Sequence, residues 1–119
     1  MRLELFQVDS FTNKIFEGNP AGVIFSEFLP NKVMQKIALE NNLSETAFVS
    51  EEGNDYRIKW FSPLMEIDLC GHATLAAAHI YFTEINRDAN SITFISSKNG
   101  SLEVIRKNNF NKLLLGSIL

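Results

Sequence analysis

The stretch Asp68-Leu69-Cys70-Gly71-His72-Ala73-Thr74-Leu75-Ala76-Ala77-Ala78-His79-Ile80-Tyr81-Phe82-Thr83 decides the fold. From Gly71 onward it predicts a helix, and that helix is apolar almost all the way round. Only a helix surrounded by protein tolerates such a surface, so it should lie inside the fold. The segments on either side read as strands. Leu3 to Val8 alternates, with Leu3, Leu5 and Val8 expected to face inward, and Ala21 to Phe25 is short and apolar. Thr46 to Val49 and Tyr56 to Phe61 flank Glu52-Gly53-Asn54-Asp55, which predicts an antiparallel hairpin. Ile92 to Ile95 and Leu102 to Ile105 are joined across Asn99-Gly100, a type I′ turn signal, and Lys112 to Leu115 suits one more strand. Pro30 opens a second helix over 31–40 with Val33, Met34, Ile37 and Ala38 on one stripe, and Asn41-Asn42 suits its C-terminal end. Many strands around one buried helix imply an α+β fold: a curled, mostly antiparallel or mixed sheet wrapped around a central apolar helix.

A length of 119 residues predicts one domain, and 45% apolar with 21% charged residues can fill a core, which excludes a disordered chain. The net charge of −3 argues against nucleic acid or an anionic membrane as the main partner. Residues 98–119 carry Lys98, Arg106, Lys107 and Lys112 against Glu103 alone, which reads as a solvated hairpin and not as a phosphate-binding stripe. A single cysteine, Cys70, excludes an internal disulfide and points to a reducing compartment. Met1-Arg2-Leu3-Glu4 has charges where a signal peptide needs an apolar run, and no stretch is long enough for a membrane span. A cytoplasmic protein is expected.

Three segments bear on chemistry. In Cys70-Gly71-His72-Ala73-Thr74, glycine at a helix entrance permits close approach, and the free first-turn N–H groups make a site for a carboxylate. The plainer alternative is a tight turn at Gly71 with His72 as a capping residue. Ser44-Glu45-Thr46 puts Glu45 at a helix-to-strand junction, where a partly desolvated carboxylate can move protons on carbon. The plainer alternative there is a solvated loop glutamate. Gly18-Asn19-Pro20-Ala21-Gly22 lacks phosphate-loop spacing and alone is a turn. His72 and His79 are seven apart, too far for a zinc pair, so no metal is expected.

Together these segments, with Phe6-Gln7-Val8-Asp9-Ser10-Phe11-Thr12 and Trp60-Phe61-Ser62-Pro63, resemble the N-terminal half of the phenazine-biosynthesis (PhzF-like) isomerase family. The likeness runs in order from residue 3 to about residue 105. It implies one half of a diaminopimelate-epimerase-like fold, in which two similar halves flank the active site. It also implies cofactor-independent proton transfer on a small carboxylic acid, with Glu45 as general acid/base; the family reaction isomerises a dihydro-hydroxyanthranilate. Gly71, His72, Asn19 and Ser44 would contact substrate, with Cys70, Ala73 and Thr74 lining the site. Related racemases of this fold carry a catalytic cysteine before a glycine here, which keeps open a cysteine-dependent half-enzyme using Cys70.

Residues 1–107 match the family's N-terminal domain, whereas 108–119 form an atypical apolar tail and the second family domain does not follow. A catalytically inactive fragment that binds a small acid or a partner chain is therefore an alternative. A homodimer, or a separate second half, would supply the other wall of the cleft.

Overall fold

The computed structural model describes residues 3–8, 20–107 and 110–115. Eight strands form one mixed sheet: β1 (Leu5–Val8), β2 (Ala21–Ser26), β3 (Glu45–Glu52), β4 (Asp55–Phe61), β5 (Glu66–Ile67), β6 (Ser91–Ser96), β7 (Gly100–Lys107) and β8 (Phe110–Leu115). Their order is β1-β2-β3-β4-β6-β7-β8, with β5 paired to β4. The pairs β2/β3 and β4/β6 are parallel and the others antiparallel. Each parallel pair needs a crossover, and each crossover carries a helix. Helix α1 (Asn31–Asn41) joins β2 to β3, and α2 (Gly71–Ile80) lies between β4 and β6. Both crossovers step the same way across the sheet, but β4 runs opposite to β3. Crossovers of one hand then put the two helices on opposite faces.

The alternation of buried side chains follows. Ala47 and Val49 of β3, with Ile58 and Trp60 of β4, pack toward α2. Phe48 and Phe61 point the other way, with Met34 and Ala38 of α1. Ala73, Ala76, Ala77 and Ala78 are fully buried, so α2 presents little more than backbone to its neighbours, and the sheet comes close. It contacts β2, β3 and β8. Trp60 fills the core beside it and donates from Nε1 to Thr74 Oγ1 at 2.9 Å. The Thr74 hydroxyl donates in turn to the Cys70 carbonyl at 2.7 Å. No helix among the described residues is long and apolar enough to cross a membrane.

Several details depart from expectation. Leu5 is exposed, while Phe6 and Val8 turn toward the α2 side. Val33 lies at the edge of its stripe and is 36% exposed, leaving Met34 and Ala38 to anchor α1. The second helix is shorter than the pattern suggests: α2 ends at Ile80 and gives way to a π-helical turn, Tyr81–Ile85, whose wider ring is closed by Asn86 N–H donating to Tyr81 O at 2.8 Å. That turn seats Tyr81 against Tyr56, with ring centroids 5.4 Å apart.

The β6–β7 connection is not type I′, which needs two successive residues at positive φ. Three residues separate the paired Ser96 and Gly100, and only Gly100 (φ 72°) has positive φ there. The β3–β4 turn has Gly53 (φ 63°) at its first central position, as a type II′ turn requires. Asn42 ends α1 in the left-handed conformation, φ 56°. The basic C-terminal charges are not merely solvated: Arg106 donates to the carbonyls of Phe82 (2.7 Å) and Arg87 (3.1 Å) and lies 4.6 Å over the Phe82 ring. Its cation meets the negative end of the helical segment.

Replacing Thr74 by Val keeps the volume but leaves the buried Trp60 N–H without its acceptor. The expected loss is about 1–3 kcal/mol, read from the urea midpoint.

Candidate active site

Glu45 opens β3, immediately after the chain leaves α1. The turn between them is built by Asn41, whose side-chain oxygen accepts from Leu43 N–H at 3.2 Å and whose amide donates to Thr46 Oγ1 at 3.2 Å. Thr46 is fully buried, so the residue before it is held at the sheet's rim. On the neighbouring strand Ala21 pairs with Glu45 and Gly22 with Thr46. A Cβ on Gly22 would come within 2.9 Å of Leu43 Cδ1 and 3.2 Å of Thr46 Oγ1, so glycine there lets the Leu43–Thr46 corner close onto β2.

The opposing element is the N-terminus of α2. Cys70 is its N-cap residue, extended at φ −137° and ψ 104°. Its carbonyl is pinned by Thr74, and the preceding loop is tied to the β6–β7 turn, where Lys98 Nζ and Asn99 Nδ2 donate to Asp68 Oδ1 and O, each at 2.7 Å. This tethering holds the helix entrance facing the start of β3.

Three side chains meet between the two elements. His72 Nε2 lies 2.8 Å from Glu45 Oε1, both atoms shut away from solvent although the side chains are 19% and 22% exposed. On the other side of the ring, Cys70 Sγ is 3.6 Å from His72 Nδ1. Glu45, His72 and Cys70 thus form a chain of carboxylate, imidazole and thiol. The positive end of α2 favours the carboxylate at its near end.

The thiol is in a contested position. Burial pushes it up and the Glu45 charge adds to the rise, while the first-turn N–H groups of Ala73 and His72 pull it down; the balance is about 11. Burial wins, and at neutral pH Cys70 is a thiol.

Among the residues singled out from sequence, Glu45, Cys70 and His72 come together, with Gly71 exposed at the helix entrance and Ser44 partly buried beside Glu45. Asn19 lies outside the described residues. Ala73 and Thr74 do not line the site with their side chains. Both are fully buried, Ala73 offering its N–H toward the sulfur and Thr74 bracing the Cys70 carbonyl. Sequence reasoning gave His72 a capping or backbone role and missed its ring as the link between Glu45 and Cys70. The available signal was the Cys-x-His spacing, which places one residue at the N-cap and the other in the first turn. Two hollows of about 480 and 290 Å³ lie at the far end of β2, around Phe25, Ser26 and Glu27, and do not include this cluster.

The family model for phenazine biosynthesis-like proteins matches residues 8–115. An uncharacterized isomerase from Pseudomonas aeruginosa is 50% identical over 108 residues, covering 90% of this chain and 41% of that protein. The crystal structure of a phenazine biosynthesis protein of the PhzF family from Enterococcus faecalis superposes with a TM-score of 0.84 at 46% identity, covering 93% of this chain and 43% of the other. A predicted epimerase from Pseudomonas aeruginosa shares the fold at a TM-score of 0.69 and 21% identity, again over 41% of its length. The chain spans about two fifths of the length of these proteins. With nearly its whole length matched at such identity, the chain belongs to the phenazine biosynthesis-like family.

Proposed function

We propose that this chain is the half of a cofactor-independent isomerase that carries the acid/base group, moving a proton on carbon within a small carboxylic acid. The observation that carries this reading is the 2.8 Å contact between Glu45 and His72 at the entrance of α2. Glu45 as carboxylate takes a proton from a C–H bond while the electron pair shifts into the substrate's double-bond system. As carboxylic acid it returns that proton to another carbon, so atoms balance without a redox partner. His72 holds the carboxyl group in one orientation, and the exposed Gly71 lets a substrate carboxylate approach the helix entrance. Ser44, beside Glu45, and Asn19 remain the further substrate contacts in this reading.

The sheet is read as curling round α2, which is supported by that helix touching β2 and β3 near one end of the sheet and β8 at the other. Residues 1–107 are taken as the family domain and 108–119 as a tail, of which Phe110–Leu115 pairs with β7 as strand β8. A cytoplasmic setting fits the single buried thiol.

In deuterated water the wild-type chain is expected to introduce deuterium into dihydro-hydroxyanthranilate. Glu45→Gln should lower that exchange by about 10²–10⁴-fold with an unchanged circular dichroism spectrum. Exchange that survives the substitution would remove Glu45 from the mechanism.

A second reading rests on the coverage of about two fifths: a domain that binds a small acid or a partner chain but turns nothing over. It predicts no exchange by the wild-type chain alone. If two copies complete one another's cleft, sedimentation equilibrium at micromolar concentration should give twice the chain mass; a monomer there excludes the homodimer and leaves a separate second half.

The cysteine-dependent reading is weakened by the protonated thiol. Iodoacetamide should label Cys70 slowly at pH 7, with a rate that climbs as pH rises toward 11, because only the thiolate reacts. Fast labelling at pH 7 together with loss of exchange would reinstate Cys70 as a base.

A further inference from the structure

The same three side chains meet a geometric requirement that proton transfer on carbon does not impose. A zinc ion bound by one thiolate at about 2.3 Å and one imidazole nitrogen at about 2.0 Å, at a tetrahedral angle, holds those two donors about 3.5 Å apart. Cys70 Sγ and His72 Nδ1 stand 3.6 Å apart. The imidazole presents its other nitrogen, Nε2, to Glu45 Oε1 at 2.8 Å. Carboxylates behind metal-bound histidines do just this: they fix the tautomer, turn the free nitrogen toward the metal and raise its basicity. All three potential donor atoms lie within 4.8 Å of one another. The Glu45 and His72 side chains keep about a fifth of their surface exposed, and Gly71 between the two proposed ligands is exposed.

We propose that the entrance of α2 is a binding site for zinc or a similar thiophilic divalent cation, with Cys70 Sγ and His72 Nδ1 as ligands and Glu45 as the orienting carboxylate. Water or a substrate carboxylate would complete the shell of a tetrahedral ion held by these two donors. Binding forms an S–metal bond as the S–H bond breaks, and the proton leaves to solvent; the Nδ1 lone pair is donated, and nothing is oxidised or reduced. An ion seated here occupies the ground from which a substrate meets Gly71 and engages Glu45 in holding the imidazole, so it acts as an inhibitor of the proposed isomerase. The binding itself does not depend on that activity.

Cobalt(II) serves as the probe, because a Co–thiolate bond gives a near-ultraviolet charge-transfer band and tetrahedral cobalt gives intense visible bands. Titrating Co²⁺ alone into the full chain, in chelator-free buffer under reducing, metal-free conditions, should produce both, and one equivalent of Zn²⁺ should erase them. Cys70→Ala should abolish the charge-transfer band. His72→Gln, at a partly exposed position, should weaken binding strongly without disturbing the core. Glu45→Gln should keep the band but weaken binding about 10–100-fold. The proposal is overturned if the wild-type chain gives no charge-transfer band, if the band survives Cys70→Ala, or if His72→Gln binds cobalt as tightly as wild type. Since the readout is absorption and not turnover, failure here leaves the acid/base reading standing, and loss of that reading leaves the metal site standing.

Discussion

The arrangement of this domain rests on a buried hydrogen-bonded line from Trp60 to Thr74 to the Cys70 carbonyl. An indole in the core needs an acceptor for its N–H, and the threonine hydroxyl can accept there only by donating elsewhere. It donates backward along its own helix, so one polar group satisfies the core and fixes the helix entrance together. Because Trp60 sits on β4 and β4 pairs with β3, the entrance is set in register with the strand whose first residue is Glu45. The meeting of Glu45, His72 and Cys70 follows from the same line of bonds that satisfies a tryptophan.

The electrostatics of the cluster follow from its depth. A helix N-terminus is usually taken to make a cysteine acidic, and the amides of His72 and Ala73 do pull Cys70 that way. Cys70 is nevertheless only 9% exposed as a residue and shares its surroundings with a carboxylate, and both effects oppose ionisation more strongly. A reactive thiolate would need the same amides with more water or with a cation in place of Glu45. The neighbouring imidazole and carboxylate keep about a fifth of their side-chain surface exposed, while the two atoms that face each other are closed off from water.

Much of this was legible in the sequence. The all-round apolar character of Gly71 to Ile80 marked the buried helix, and Asn42 and Pro30 marked the limits of α1, because left-handed backbone and fixed φ are local demands that one residue can announce. The order of three motifs brought Glu45 and Gly71-His72 into one site. What escaped was whatever depends on partners distant in the chain. Leu5 and Val33 look like core by spacing but are exposed, and neither joins the two core clusters. The π turn at Tyr81 answers to Tyr56 on a strand 25 residues earlier, and Arg106 looks like a surface cation until the helix it caps is in place. The ring of His72 reaching both Glu45 and Cys70 is likewise a property of two elements at once.

Arg106 also sets an order of events. The residue that closes the carbonyls of Phe82 and Arg87 arrives 19 to 24 positions after them, and the β6 and β7 side chains that cover α2, Phe94, Leu102 and Val104, arrive over the same interval. On the ribosome, the alanine-rich helix therefore emerges before the hairpin that shelters it. Until that hairpin clears the exit tunnel, a nascent chain carries its alanine-rich helix without the side chains of Phe94, Leu102 and Val104 that share its core.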